Sequence, residues 1–300
     1  MSMEDTPMEK FYPLKKGDTI GVAAPSARFD EKRLNLGIEC LKTLGFKVHV
    51  PPAIFGEKRY LAGEDVARAA VVNELFADTD IKGIIAVRGG FGAMRMLAHL
   101  DWEMIRENPK LVIGFSDATA LLTAVIQQTK FPVVHGPTLT SLVDADPRTL
   151  SSFYQAITEI PGELEIDQGV CLVPGRAQGK LVGGNLATLT HLVGTEFQPD
   201  FKGRILFLED VGEPAYKIDR MLSQMRLAGL FHGVKGVITG SFENCENSEY
   251  IPQILSEIFV GIPLIMGLAA GHGKINLSLI MGLTVLLDTS RGMLKWQVIQ

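Results

Sequence analysis

The sequence predicts an α/β protein, with a mostly parallel α/β sandwich domain in the N-terminal half and an α/β or β-rich domain in the C-terminal half. Three observations carry this. Short apolar runs alternate with segments of helical spacing from Thr19 to His135, the signature of βαβ units and a parallel sheet. Unusual turns, several rich in glycine, follow the apolar runs, where open α/β sheets place function. The alternation weakens between about Thr149 and Lys180 and then resumes, which divides the chain in two.

In chain order, Thr19 to Ala23 is an apolar run stopped by Ala24-Pro25-Ser26, a strand and its turn. Asp30 to Leu44 carries Leu34, Ile38 and Leu41 at helical spacing, and Gly45 stops it. Phe46 to Val50 reads as a strand, Glu64 to Phe76 as a helix, and Ile81 to Val87 as a strand running into Arg88-Gly89-Gly90-Phe91-Gly92. Leu111 to Phe115 is a strand, Ala118 to Gln128 a helix, and Phe131 to His135 a strand cut off by Gly136-Pro137. A short helix is expected at Leu150 to Thr158. A helix follows Gly183-Gly184-Asn185, and another spans Ile218 to Leu227. Strands are expected at Arg204 to Leu208, Gly236 to Thr239, Pro263 to Met266 and Leu283 to Leu287. The resulting division is 1–160 for the N-terminal domain, 161–180 for a linker and 181–300 for the C-terminal domain.

Composition excludes several classes. Of the 300 residues, 46% are hydrophobic and 21% charged, so the chain is globular rather than disordered. A net charge of -5 leaves no surplus of Lys and Arg for nucleic acid. No stretch reaches the ~18 uninterrupted apolar residues of a membrane span; the run from Leu111 to Ile126 is broken by Ser116 and Asp117. The start Met1-Ser2-Met3-Glu4-Asp5 lacks the pattern of a secretory signal. Three scattered cysteines (Cys40, Cys171, Cys245) show no metal-ligand spacing and fit a reducing compartment. A cytoplasmic protein without metal or other cofactor is the expectation.

Ser116 is the leading candidate nucleophile. It lies between an apolar strand and a helix rich in Ala and Leu, so its hydroxyl projects from a tight turn beside free backbone N–H groups. Gly114-Phe115-Ser116-Asp117-Ala118 matches the Gly-x-Ser-x-Gly elbow except at its last position. Serine before a helix is also the ordinary N-cap residue. Gly89-Gly90 allows close backbone approach to a ligand, and the N–H groups of Gly90 and Asp117 would make a two-donor oxyanion hole. The same turn lacks the spacing of a phosphate loop. A serine nucleophile needs a base and the base an orienter. Of six histidines, His49, His99, His191 and His232 look structural, while His135 and His272 both qualify as the base. Glu209, after Ile205-Leu206-Phe207-Leu208, is placed at a strand's carboxyl end as the orienting acid.

The sequence resembles the LD-carboxypeptidase family of serine peptidases, the muramoyltetrapeptide carboxypeptidases, over nearly its whole length. The motifs are Gly17-Asp18-Thr19-Ile20-Gly21-Val22-Ala23-Ala24-Pro25-Ser26, Arg88-Gly89-Gly90-Phe91-Gly92-Ala93, Gly114-Phe115-Ser116-Asp117, His135-Gly136-Pro137, Gly183-Gly184-Asn185-Leu186, Leu208-Glu209-Asp210-Val211-Gly212-Glu213, Ile218-Asp219-Arg220 and Gly271-His272-Gly273. The resemblance implies a Ser116–His272–Glu209 triad with the active site at the domain interface, an oxyanion hole from the Gly90 and Asp117 amides, and no metal. It leaves His135 a structural or substrate-side role. It also implies release of terminal D-alanine from a peptidoglycan tetrapeptide (the muropeptide substrate), a homodimer, and work in cytoplasmic wall recycling. A carboxypeptidase recognises a free carboxylate, and Arg88 is the nearest candidate for it. Two other readings compete: an immunity peptidase that cuts peptidyl-nucleotide amides with the same triad, and a non-enzymatic protein gripping an anionic ligand.

Overall fold

The computed structural model describes residues 11–167 and 169–297. Two sheets organise them. The first has the order β12-β5-β4-β3-β1-β2, built from β1 (Thr19–Ala23), β2 (Lys47–His49), β3 (Ile81–Ala86), β4 (Leu111–Gly114) and β5 (Val133–His135), all parallel. Strands β3 and β4 are buried almost throughout, as central parallel strands covered on both faces must be. The helices between them are α1 (Glu31–Thr43), α2 (Asp65–Ala77), α3 (Ala93–Met96), α4 (Trp102–Glu107) and α5 (Thr119–Thr129), and α6 (Pro147–Thr158) follows β5.

The second sheet has eight strands in the order β6-β14-β13-β8-β9-β10-β11-β7. Its middle, β8 (Arg176–Asn185), β9 (Ile205–Val211), β10 (Gly236–Glu243) and β11 (Leu264–Met266), is parallel. β6 (Glu163–Glu165), β7 (Val170–Val173), β13 (Thr284–Asp288) and β14 (Met293–Trp296) add antiparallel margins. Helices α7 (Leu186–His191), α8 (Ala215–Leu227) and α9 (Ile251–Ile258) complete this half. Alternation along β9 separates two cores. Ile205 and Phe207 join the large core shared with the first sheet, while Leu206 and Leu208 join the one that includes residues of α7, α8 and α9. The same parity puts Glu209 on the Phe207 side, towards the first sheet.

Three expectations need correction. Residues 161–180, read as a linker with some irregular strand, hold β6, β7 and the start of β8, short strands split by Pro174-Gly175. The segment 181–300 is not confined to the second sheet, because β12 (Leu279–Met281) pairs antiparallel with β5 in the first. Glu209 lies inside β9 rather than at its end, since the strand runs on to Val211.

Candidate active site

The carboxyl ends of β1, β3 and β4 converge on a cleft of about 370 Å³ lined by Arg33, Arg88, Gly89, Gly90, Ser116 and His272, among others. Ser116 has φ 61°, a left-handed backbone that side chains rarely adopt. No side-chain cap is made at the N-terminus of either the short 3₁₀ turn Ser116–Ala118 or α5, so Ser116 does not act as an N-cap. Its hydroxyl makes no hydrogen bond among the described residues. Gly89 makes this turn possible: a Cβ there would lie 2.6 Å from Ser116 Oγ. Gly90 has φ 112°. The N–H groups of Gly90 and Asp117 have no acceptor among the described residues.

Asp117 turns its side chain away from the cleft. Its buried carboxyl accepts the Ala93 N–H at 2.8 Å. Burial pushes its pKa up, opposed by that hydrogen bond and by the charge of Arg68. Arg68, itself buried, holds the carbonyls of Pro25 and Gly92 and pairs with Asp65. These contacts pin the turns after β1 and β3.

Across the cleft, His272 Nδ1 meets Glu209 Oε2 at 2.6 Å. Glu209 is fully buried and the His272 side chain is 17% exposed. The histidine loop is tied on both sides: Gly271 N–H donates to Asn276 Oδ1 at 2.9 Å and Gly273 N–H to Ser241 Oγ at 3.0 Å. Gly271 has φ 108°, and a Cβ there would lie 2.5 Å from Glu209 Oε2. The Phe115 ring rests against the imidazole at 4.8 Å. No hydrogen bond joins Ser116 to His272 in this structure.

The remaining motifs are accounted for by packing. Asn185 caps α7 by accepting the Thr188 N–H and donates to Asp210 Oδ1, whose partner oxygen accepts the Ala187 N–H. His135 is fully buried at the end of β5 and is not among the residues that line the cleft. Arg88 is exposed at the cleft, with one long hydrogen bond to the Arg28 carbonyl. Arg33 was not singled out by sequence; it lines the cleft and pairs with Asp144 at 2.7 Å. Its signal was its place in the first turn of the helix that follows β1.

Residues 20–136 match the LD-carboxypeptidase N-terminal domain, and residues 178–287 match the LD-carboxypeptidase C-terminal domain. The chain belongs to the LD-carboxypeptidase family. It is 37% identical to a probable murein peptide carboxypeptidase of Bacillus subtilis, covering 92% of this chain and 91% of that one. It is 31% identical to a murein tetrapeptide carboxypeptidase of Pseudomonas aeruginosa, covering 92% and 94%. The solved structure of MccF, a microcin C7 self-immunity protein, in complex with glutamyl sulfamoyl guanosine is 28% identical, with a TM-score of 0.87 over 96% of this chain and 98% of that one. Membership makes this chain a serine-type carboxypeptidase. Among the described residues no helix is long and apolar enough to cross a membrane.

Proposed function

We propose that the protein releases terminal D-alanine from peptidoglycan-derived tetrapeptides, cutting the bond to the L-centre of the preceding diamino acid. One observation carries the reading: a left-handed Ser116 opens on the same cleft as a histidine held at 2.6 Å by a buried carboxylate. A protein that merely gripped an anion would have no use for that pair.

Ser116 Oγ attacks the scissile carbonyl and its proton passes to His272 Nε2. Glu209 holds the opposite ring nitrogen and stabilises the imidazolium. The Gly90 and Asp117 N–H groups receive the developing oxyanion. His272 then protonates the departing D-alanine amine, and water attacks the acyl-enzyme by the reverse relay. Arg88, with Arg33 beside it, supplies the positive charge that selects a free carboxylate. The residues of the cleft perform each of these steps with no metal ion assigned a role. A homodimer acting in cytoplasmic wall recycling belongs to the same reading.

Mass spectrometry of muropeptide digests tests this. Wild type is expected to remove one D-alanine from tetrapeptides and none from pentapeptides, and Ser116→Ala to lose about 10⁴-fold or more of that rate with its fold retained. Wild-type turnover by Ser116→Ala would remove the serine mechanism. The likeness to MccF supports a second reading, cleavage of a peptidyl-nucleotide amide by the same residues. Preference for an aminoacyl sulfamoyl nucleoside over the tetrapeptide would establish it instead.

A further inference from the structure

Beneath the His272–Glu209 pair lies a buried group that the mechanism above does not use. His135 has no exposed surface, and neither of its ring nitrogens has a hydrogen-bond partner among the described residues. Its ring stands edge-on to Phe207 at 5.0 Å and to Phe115 at 6.2 Å. Phe115 in turn rests on His272. Burial pushes the His135 imidazole down to about 4, with the Glu209 carboxylate opposing that shift and His272 adding to it. At neutral pH the ring is therefore uncharged, with one N–H donor and one acceptor. Its sheet neighbours, Gly114 on β4 and Leu279 on β12, carry no charge. The charges that reach it come from Glu209 on β9 and His272 on the loop after β11.

Glu209 has the complementary deficit. Its Oε2 is held by His272, but Oε1 has no partner among the described residues. A carboxylate removed from water with one donor is expensive to keep ionised. Ser278 Oγ, beside Gly136, is likewise unpartnered.

We propose that His135 is a positioning residue for Glu209: its ring N–H reaches Glu209 Oε1 through one bridging water and so keeps the carboxylate turned towards His272. Buried waters serve this purpose where polar groups lack direct partners. The inference rests on the reading of Glu209 and His272 as acid and base. Removing the donor frees the Glu209 carboxylate to turn from His272, so the base is held less well and kcat falls. Substrate binding, which depends on the cleft residues, is unaffected.

The test compares His135→Phe and His135→Gln with wild type. His135→Phe suits the aromatic surroundings and removes both nitrogens. It is expected to lower kcat by about tenfold or more, a fraction of the ~10²–10⁴ that a positioned acid–base group contributes. KM is expected to stay within about twofold. His135→Gln restores a donor and recovers part of the loss. A packing role predicts the opposite order, with His135→Phe near wild type and His135→Gln worse; that order, or a wild-type kcat in His135→Phe, overturns the proposal. Nitrogen-15 NMR of the histidine rings decides the matter even where a variant fails to fold. In the otherwise native protein, Glu209→Gln is expected to shift the His135 ring N–H, and an unmoved resonance refutes the link. A wild-type protein that releases nothing from any tetrapeptide defeats the proposed function instead, and leaves the NMR result readable.

Discussion

At Ser116 the chain accepts a left-handed backbone, φ 61°, that costs a non-glycine residue about 1–3 kcal/mol. The strain lifts the hydroxyl out of helix capping and into the cleft, and Gly89 is what leaves room for it. Gly89→Ala would bring a methyl group to 2.6 Å from Ser116 Oγ and 2.7 Å from its Cβ. The expected result is a fall of about 10²-fold in kcat, as a misplacement of about 1 Å produces. Labelling of Ser116 by a fluorophosphonate should slow in parallel while overall helicity is unchanged. Full labelling and turnover would mean that the turn is not sterically set by Gly89. Ser116, Glu209 and His272 were legible in sequence because each follows or ends an apolar run, and the family motifs singled out His272 over His135. Arg33, Ser241 and Asn276 were not. Arg33 stands in the first turn of α1, but the groups that hold it lie 107 and 111 positions away; Ser241 meets Gly273 from 32 positions away and Asn276 meets Thr149 from 127, so their part in the site is set by the fold.

Elements were legible where apolar runs were long enough to have a period. β1, β3, β4 and α1, α2, α5 fall within a few residues of their expected ends. β6, β7, β12 and β14 have three or four residues each, too few for alternation to declare itself, and β8 carries Gly179, Gly183 and Gly184 within it. Helix α2 contributes something periodicity does not reveal, a charged bolt through the turns beside the cleft. Asp65 at its first residue pairs with Arg95 and with the buried Arg68. Hydrogen bonding from Arg95, with further help from Arg68, lowers the Asp65 carboxyl to about 2 against the opposing effect of burial. A depressed carboxyl stabilises the fold fully above its unfolded value of about 3.9, and that contribution is lost as pH falls towards 2. Asp65→Asn leaves Arg68 without its counter-charge and is expected to cost about 3 kcal/mol at neutral pH. Urea titrations should show the gap to wild type narrowing as pH falls from about 4 to about 2. An undiminished gap at the acid end would assign the loss to packing alone.

At the scale of the whole molecule, Ser116 follows a strand of the first sheet and the His272–Glu209 pair belongs to the other half, so their approach depends on how the halves dock. One contact sits close to the site. Gly184 at the end of β8 packs on Thr119, the first residue of α5 and three residues after Ser116; the Asn185 N–H donates to Thr119 Oγ1 at 3.2 Å. A Cβ on Gly184 would lie 2.7 Å from both Thr119 Cγ2 and Oγ1, and φ there is 145°. Gly184→Ala is therefore expected to push β8 from α5 and part Ser116 from the His272–Glu209 pair, lowering kcat/KM by about 10²-fold. Adding Thr119→Ala removes the two clashing atoms but leaves the backbone strain, so the double variant should regain part of the activity and not all of it. Measured kcat/KM for the two single variants and the double variant separates the terms. Simple additivity of the single losses would show that the two residues do not share this contact, and that the halves are held in register elsewhere, with the pairing of β12 and β5 the next place to look.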